Sequence, residues 1–451
     1  MKKHLLAAAL SAAAISPLAH AAPYAPFDVR AAGMGGTGVA SAKTASAALF
    51  NPAMLSAQVE GDRFQFVLGA GATVADEDGM FDQFDELQTT IEAMDQLINT
   101  DLGALTLVVG VGYQPGTTQH TVLNQVYSTT STLVDQMNKI NNDNLIAGMG
   151  SGVGFGVASK KVGVGVFATA TGNAIVTPQV SAIDTSRLAN YVSVIAPDPV
   201  TQRIGITAAE IAANSQFLNL LLGSGGSAST VTLDDFDPQS SANGMAVALA
   251  EYGVSFSHEF VMDGGGALSV GITPKSVQVV TYDYTANLDT FEDSDIDTQE
   301  KTEDLFDVDL GLVYKPSPSS AWQVGLVAKH LVGGEFETLP NVASGALPQT
   351  VEIATQVRAG IARMTNRTTL ALDLDLVENE GVRAGSATQF LAFGAEYDLK
   401  MLQLRAGYRA NLADSDVSDV ATLGLGLGPV DIGAMANQQT VGAYLQLGFG
   451  W

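Results

Sequence analysis

The chain has 451 residues, no cysteine, and 47 acidic against 21 basic side chains, for a net charge of −26. A chain without cysteine has no disulfides, zinc–thiolate sites, iron–sulfur clusters or thiol redox chemistry, and its negative charge repels nucleic-acid phosphate, so direct nucleic-acid binding is not expected. Apolar residues make up 46% of the chain and glycines number 47, yet no segment after the first residues approaches the ~20 apolar residues of a membrane helix.

The N-terminus reads as an export signal. Lys2 and Lys3 precede the apolar run Leu5 to Ile15, and Ala19-His20-Ala21 has the A-x-A form of a cleavage site. Residues 1–21 are expected to be removed, with cleavage after Ala21 or Ala22. Residues 22–61 come next, containing Gly33-Met-Gly35-Gly36-Thr-Gly38. The spacing G-x-G-x-x-G invites a dinucleotide reading. That fingerprint needs a buried strand before it and a helix opening on it. Here Pro23 and Pro26 spoil the strand, and Asn51-Pro52 breaks the chain before a second strand can form. The run Ala31 to Leu55 is instead almost entirely small residues, which let a backbone pack inside a narrow space.

From residue 62 onward apolar residues alternate with polar or small ones. Fourteen segments have this period of two: 62–72, 146–158, 161–172, 242–259, 266–284, 302–316, 321–333, 350–364, 367–377, 388–398, 401–412, 418–428, 430–437 and 439–451. An apolar, glycine-rich, exported chain of this kind is expected to form an all-β membrane protein. The expected fold is an antiparallel transmembrane β-barrel, closed because backbone groups in lipid must pair internally. The connections sort by parity. Ser159-Lys160, Val261 to Gly265, Ser317 to Ser320, Thr365-Asn366, Lys400 and Pro429 are short, while the other set is mostly long, 73–145, 173–241, 285–301, 334–349 and 378–387, and ends in two short ones. Short turns belong to the periplasmic side of outer-membrane barrels and long loops to the outside. Both termini are therefore expected in the periplasm of a Gram-negative bacterium.

The insertion 73–145 has helical periodicity. Phe84, Leu87, Ile91, Met94 and Ile98 fall three and four apart, giving either a cap that packs on itself or an apolar external surface for a ligand. Val122, Val126, Leu133, Met137 and Ile140 predict a second helix, Leu105 to Val111 is strongly apolar, and Thr207 to Leu222 predicts a helix in the second insertion. Asp293, Asp295 and Asp297, with Glu300 nearby, have calcium-like spacing but lack the expected glycine and distal glutamate, so they read as a solvated acidic loop. No metal site or cofactor is expected. His120, His258 and His330 are scattered, and no nucleophile-elbow or zincin motif occurs, so the chain does not read as an enzyme. Arg358, Asp373, Asp375, Glu396, Arg405 and Arg409 fall on the polar faces of late strands and are candidate lumen-lining residues, either pairing to hold the barrel's shape or lining a path. The last segment places Val441, Ala443, Leu445, Leu447, Phe449 and Trp451 on one face. Leu445, Leu447, Phe449 and the final aromatic resemble the signal read by the barrel-assembly machinery.

The small-residue segment ending in Asn51-Pro52-Ala53, just before strand one, resembles the FadL/TodX superfamily of outer-membrane barrels. The resemblance implies that residues 22–61 form a hatch, with Gly33, Gly35, Gly36, Gly38, Asn51, Pro52 and Ala53 as its motif. Family members commonly carry glycine where this chain has Met54. The stretches GMGGTGVASA…FNPAMLS, VGITPKSVQVVTYDY, VDLGLVYKP…WQVGLVAKHLV and LRAGYRANL are most similar to the barrel-type TraF family of conjugal transfer. This is not the thioredoxin-like protein that shares that label. The implied function is a passive channel for hydrophobic or amphipathic small molecules. The alternative is an envelope component assisting plasmid conjugation or cell contact. Expected partners are outer-membrane lipid and lipopolysaccharide, the barrel-assembly machinery, an apolar ligand and, in the alternative, a conjugation apparatus.

Overall fold

The computed structural model describes residues 28–57, 63–76, 78–102, 105, 111–205, 239–287, 299–341, 344–345, 347–380, 387–413 and 419–451. The expected signal segment, the helix over 207–222, Asp293, Asp295, Asp297 and the interior of the run 105–111 lie outside them.

Fourteen antiparallel strands close into one barrel. In chain order they are β1 (Phe64–Asp76), β2 (Leu145–Val157), β3 (Gly163–Gln179), β4 (Ser241–Val261), β5 (Ala267–Asn287), β6 (Lys301–Lys315), β7 (Trp322–Lys329), β8 (Gln356–Met364), β9 (Thr368–Asp375), β10 (Phe390–Asp398), β11 (Leu402–Asn411), β12 (Val420–Leu427), β13 (Val430–Ala436) and β14 (Thr440–Gly450). The first strand pairs with the last, Leu68 opposite Leu447, which leaves no edge. Among the described residues no helix is long and apolar enough to cross a membrane; the strands carry the apolar surface instead.

The alternation sets that surface. On β6, Phe306, Leu310, Leu312 and Tyr314 point outward, while Asp307, Asp309 and Val313 are buried inside. Phe64, Phe260, Tyr314, Trp322, Tyr397 and Trp451 ring the exterior near the short turns, and Tyr252, Phe306 and Tyr408 stand nearer the long loops. Aromatic girdles flanking an apolar band are the interfacial anchors of a transmembrane barrel. Phe64 and Trp451 stack at 6.2 Å across the closure, and Leu445, Leu447 and Phe449 face outward beside them.

Two expected strands end differently. The segment expected over 321–333 stops at Lys329, and only Gln356–Met364 of 350–364 joins the barrel. Thr350–Ile353 pairs instead with Gly334–Glu337 in a separate hairpin. His330 and Gly333 adopt positive φ, 54° and 60°, and turn the chain inward. Phe336, Val351 and Ile353 then bury against Val247, Leu249, Val277 and Val279 of β4 and β5. Burial of apolar area outweighs continuation of the ladder.

The long connection after β1 holds α-helices Met80–Gln96 and Thr118–Ile140, and that after β3 holds Ala182–Val194. They pack as a three-helix bundle. Leu87, Leu133 and Ile140 form one cluster with Phe84, Ile91, Met137 and Leu188; Met94, Val122, Leu123, Val126 and Val194 form a second, with Ile98 against it. Phe84, Leu87, Ile91, Met94 and Ile98, expected as a possible external ligand surface, are therefore the bundle's inner seam. The third helix, which the sequence does not announce, takes up apolar area that a ligand would need.

Candidate functional site: the plugged lumen

Residues 28–57 lie inside the barrel toward the short turns. They form three brief helices, α1 (Val29–Ala32), α2 (Thr44–Phe50) and α3 (Met54–Ala57), joined by tight turns. Asp28 caps α1 by accepting from the Ala31 N–H at 2.7 Å, and its other oxygen accepts from the Ser46 hydroxyl. Four-residue helices cannot hold themselves; the wall holds them.

Small residues make that possible. Gly35 adopts φ 72°, which a side chain would strain. A β-carbon on Gly33 would lie 2.8 Å from Gly424 Cα, and one on Gly38 would collide with the Phe50 ring. The wall answers with its own inward glycines: at Gly154, Gly271, Gly311, Gly325, Gly394 and Gly407 a β-carbon would overlap plug atoms. The G-x-G-x-x-G spacing thus serves backbone-to-backbone approach within a barrel.

Specific polar contacts then fix the register. Asn51 donates to Val39 O at 2.9 Å and to Leu312 O of the wall at 3.1 Å, while its own oxygen accepts from Ala53 N–H at 3.1 Å. Pro52 and Ala53 press on Gly271. Asp373 accepts the Gly38 and Val39 N–H groups at 2.7 and 3.0 Å. Gly35 N–H donates to Thr422 at 2.9 Å, Val29 N–H to Gln446 at 2.9 Å, and Gln323 donates to Ala40 O at 2.7 Å. Gly36 faces open space.

The strongest anchor is ionic. Arg30 makes a bidentate pair with Glu396, both bonds 2.9 Å, and donates to Ser41 O at 2.7 Å. Arg405 donates to the same Glu396 at 2.7 Å and to Asp431 at 2.5 Å. All four side chains are largely shielded. Lys43 reaches solvent at its tip, yet the surrounding barrel, and then the Arg30 guanidinium, hold its ammonium below the ordinary lysine range.

The six candidate lumen residues all face inward. Arg358 pairs with Asp375 through bonds of 2.5 and 2.9 Å, and Asp375 also accepts the Phe390 N–H at 2.8 Å. Asp373, Glu396 and Arg405 bind or brace the plug. Arg409 lies 4.6 Å over the Phe390 ring. Toward the long loops a second buried network escaped the sequence reading: Lys275 bridges Glu251 at 2.7 Å and Asp309 at 2.9 Å, and His330 pairs with Asp307 at 2.7 Å. Asp307 and Asp309 were visible on a polar face. Lys275, the one basic residue of Val270 to Tyr284, was the missing signal. The His120 and His258 rings bond the backbone carbonyls of Gln202 and Lys161, and His258 packs edge-on against Phe260, so among the described residues the histidines build no common centre.

Residues 48–375 match the family model described as F plasmid transfer operon, TraF, protein. The chain belongs to that family. Comparison of this TraF-family barrel with solved structures finds the Ralstonia pickettii toluene transporter TbuX, at 12% identity and a TM-score of 0.45, covering 94% of this chain and 100% of that one. It also finds a Pseudomonas aeruginosa FadL homologue, at 10% identity and a TM-score of 0.42, covering 96% and 98%. A third is the P. putida toluene transporter TodX, at 11% identity and a TM-score of 0.34, covering 94% and 98%. No curated protein matches the TraF-family chain by sequence.

Proposed function

We propose that the protein is a passive outer-membrane channel for hydrophobic or amphipathic small molecules, with its short turns and termini in the periplasm. One observation carries this reading: a closed, lipid-compatible barrel fills one end of its own lumen with a specifically seated segment, while inward residues beyond that segment, including Thr73, Asn173, Arg409 and Tyr444, stay partly open to solvent. A purely structural barrel gains nothing from a segment seated so specifically within its lumen. The test is uptake of the apolar dye N-phenyl-1-naphthylamine by intact Gram-negative cells with and without the protein. Faster dye entry, with no added leak of hydrophilic antibiotics, supports the channel; equal dye entry overturns it.

Family membership favours a second reading, an envelope component that assists plasmid transfer or cell contact without transport. Deleting the gene from a donor strain would then alter mating frequency and leave dye uptake unchanged. Normal mating in the deletion strain would remove this reading.

A further inference from the structure

A buried side-chain oxygen normally accepts a hydrogen bond, because losing water without replacing its bond is unfavourable. At the end of β5 and β6 nearest the long loops, three such oxygens find no partner among the described residues: Thr281 Oγ1, Asp283 Oδ2 and Gln299 Oε1. Their residues are only 2%, 6% and 7% exposed. The bare carboxylate oxygen is the costliest of the three to leave unanswered.

The strand register brings the three together. Thr281 and Asp283 share the inward face of β5 with Val277 and Val279, on which the inserted hairpin packs. Thr281 stands opposite Lys301 across the β5–β6 ladder, and the same register carried two residues further sets Gln299 against Asp283. Glu300 turns the other way, to Tyr282 on the opposite face, whose hydroxyl donates to it at 2.9 Å. Asn341, on the connection that leaves the hairpin, holds one side of the carboxylate. Its amide donates to Asp283 Oδ1 at 2.9 Å and to Thr285 Oγ1 at 3.0 Å, so Oδ1 is taken up and Oδ2 is left. Lys301 does not answer Oδ2, because its ammonium pairs with Glu303 at 3.0 Å, one inward position further from Gln299.

Carboxylate, amide carbonyl and hydroxyl oxygens are hard donors, the set that suits calcium. The connection 288–298 between the same two strands carries five acidic side chains and no basic one, a charge that draws cations to this end of the barrel. We propose that Thr281, Asp283 and Gln299 form a calcium site, completed by water, that ties β5 and β6 to the Asn341 end of the inserted hairpin. With a single carboxylate the affinity falls at the weak end, about 10⁻⁴–10⁻³ M, the range of extracellular calcium modules. Such a site is independent of whether the barrel conducts.

The experiment is thermal unfolding of the full-length protein in mild detergent, stripped with EDTA and then titrated with calcium chloride, with magnesium chloride as the control for divalent charge. The unfolding midpoint of wild type should rise with calcium and level off near millimolar concentration, and magnesium, which gives up its water reluctantly, should raise it far less. Asp283→Asn should move the calcium dependence at least tenfold to higher concentration while the barrel keeps its heat-modifiable gel mobility. Gln299→Glu supplies a second carboxylate and should move it about tenfold to lower concentration, a gain that misfolding does not produce. No rise with calcium in wild type, or an equal rise with magnesium, overturns the site. An unchanged calcium response in a folded Asp283→Asn assigns the effect to the acidic connection and overturns it as well. If Asp283→Asn does not fold, Gln299→Glu decides: without tighter calcium dependence the site is refuted.

Discussion

The plug and the three-helix bundle are both insertions upon the same wall, yet they are held by opposite means. The bundle closes on itself through a leucine, valine and methionine seam, with Leu123 fully buried between helices. The plug's apolar cluster, with Val39, Phe50, Met54 and Leu55, is instead shared with Phe167, Val313 and Val327 of the wall. Its short helices are held by wall residues: Glu396 on Arg30, Asp373 on two N–H groups, Gln446 on Val29, and glycines that admit its backbone. An element with its own core tolerates change in its surroundings. An element that shares its core and its polar contacts with its container depends on that container for its position.

Glu396→Ala should produce the largest effect, because it strands Arg30 in a shielded site and leaves Arg405 with Asp431 alone. Removing one partner of a buried ion pair costs about 3–5 kcal/mol. The expected result is protease cleavage within residues 28–57 while the barrel keeps its heat-modifiable mobility; an uncleaved plug would show that the ionic anchor is dispensable. Leu123→Ala should cost about 2–5 kcal/mol, confined to the bundle. Cleavage should appear in 77–144 with the plug still protected, and joint loss of both elements would erase the distinction between them. Gly407→Ala should displace the plug turn by overlap, at about 1–3 kcal/mol, and crosslinks between plug and wall should report the shift. The smallest effect belongs to the outer surface. Trp451→Ala removes a stacking contact with Phe64 worth about 0.5–1.5 kcal/mol, and thermal unfolding of the purified barrel should register that difference without any change in plug protection.

The contrast also explains what was legible in the sequence. Strands of period two came through because lipid on one side and lumen on the other impose alternation without exception, as in Leu370, Leu372 and Leu374 on β9. Helix Met80–Gln96 came through for the same reason at its own period. The inserted hairpin did not, because Thr350 to Ile353 alternates as a wall strand would, and only the inward turn at His330 and Gly333 diverts it. The sequence left a self-packing cap and an external ligand surface both open for Phe84 to Ile98, because one amphipathic helix carries no information about which neighbour covers it. The inward charges were visible on strand faces, but their pairing was not: Arg30 and Glu396 stand 366 residues apart. Periodicity reports a residue's face, while partners depend on closure and register.

That separation has a consequence for the order of events during biogenesis. The plug is made before the barrel strands, and its fixed points run from β6 and β7 through β9, β10 and β12 to β14, with Val29 reaching Gln446 across 417 residues. Contacts of such long range form only after the loop between them is closed. The seat is therefore incomplete until the final strands have been delivered and the seam between β1 and β14 has shut. Made before the strands that hold it, the plug is among the last elements to settle fully, and a seated plug is a record that the cylinder around it was completed.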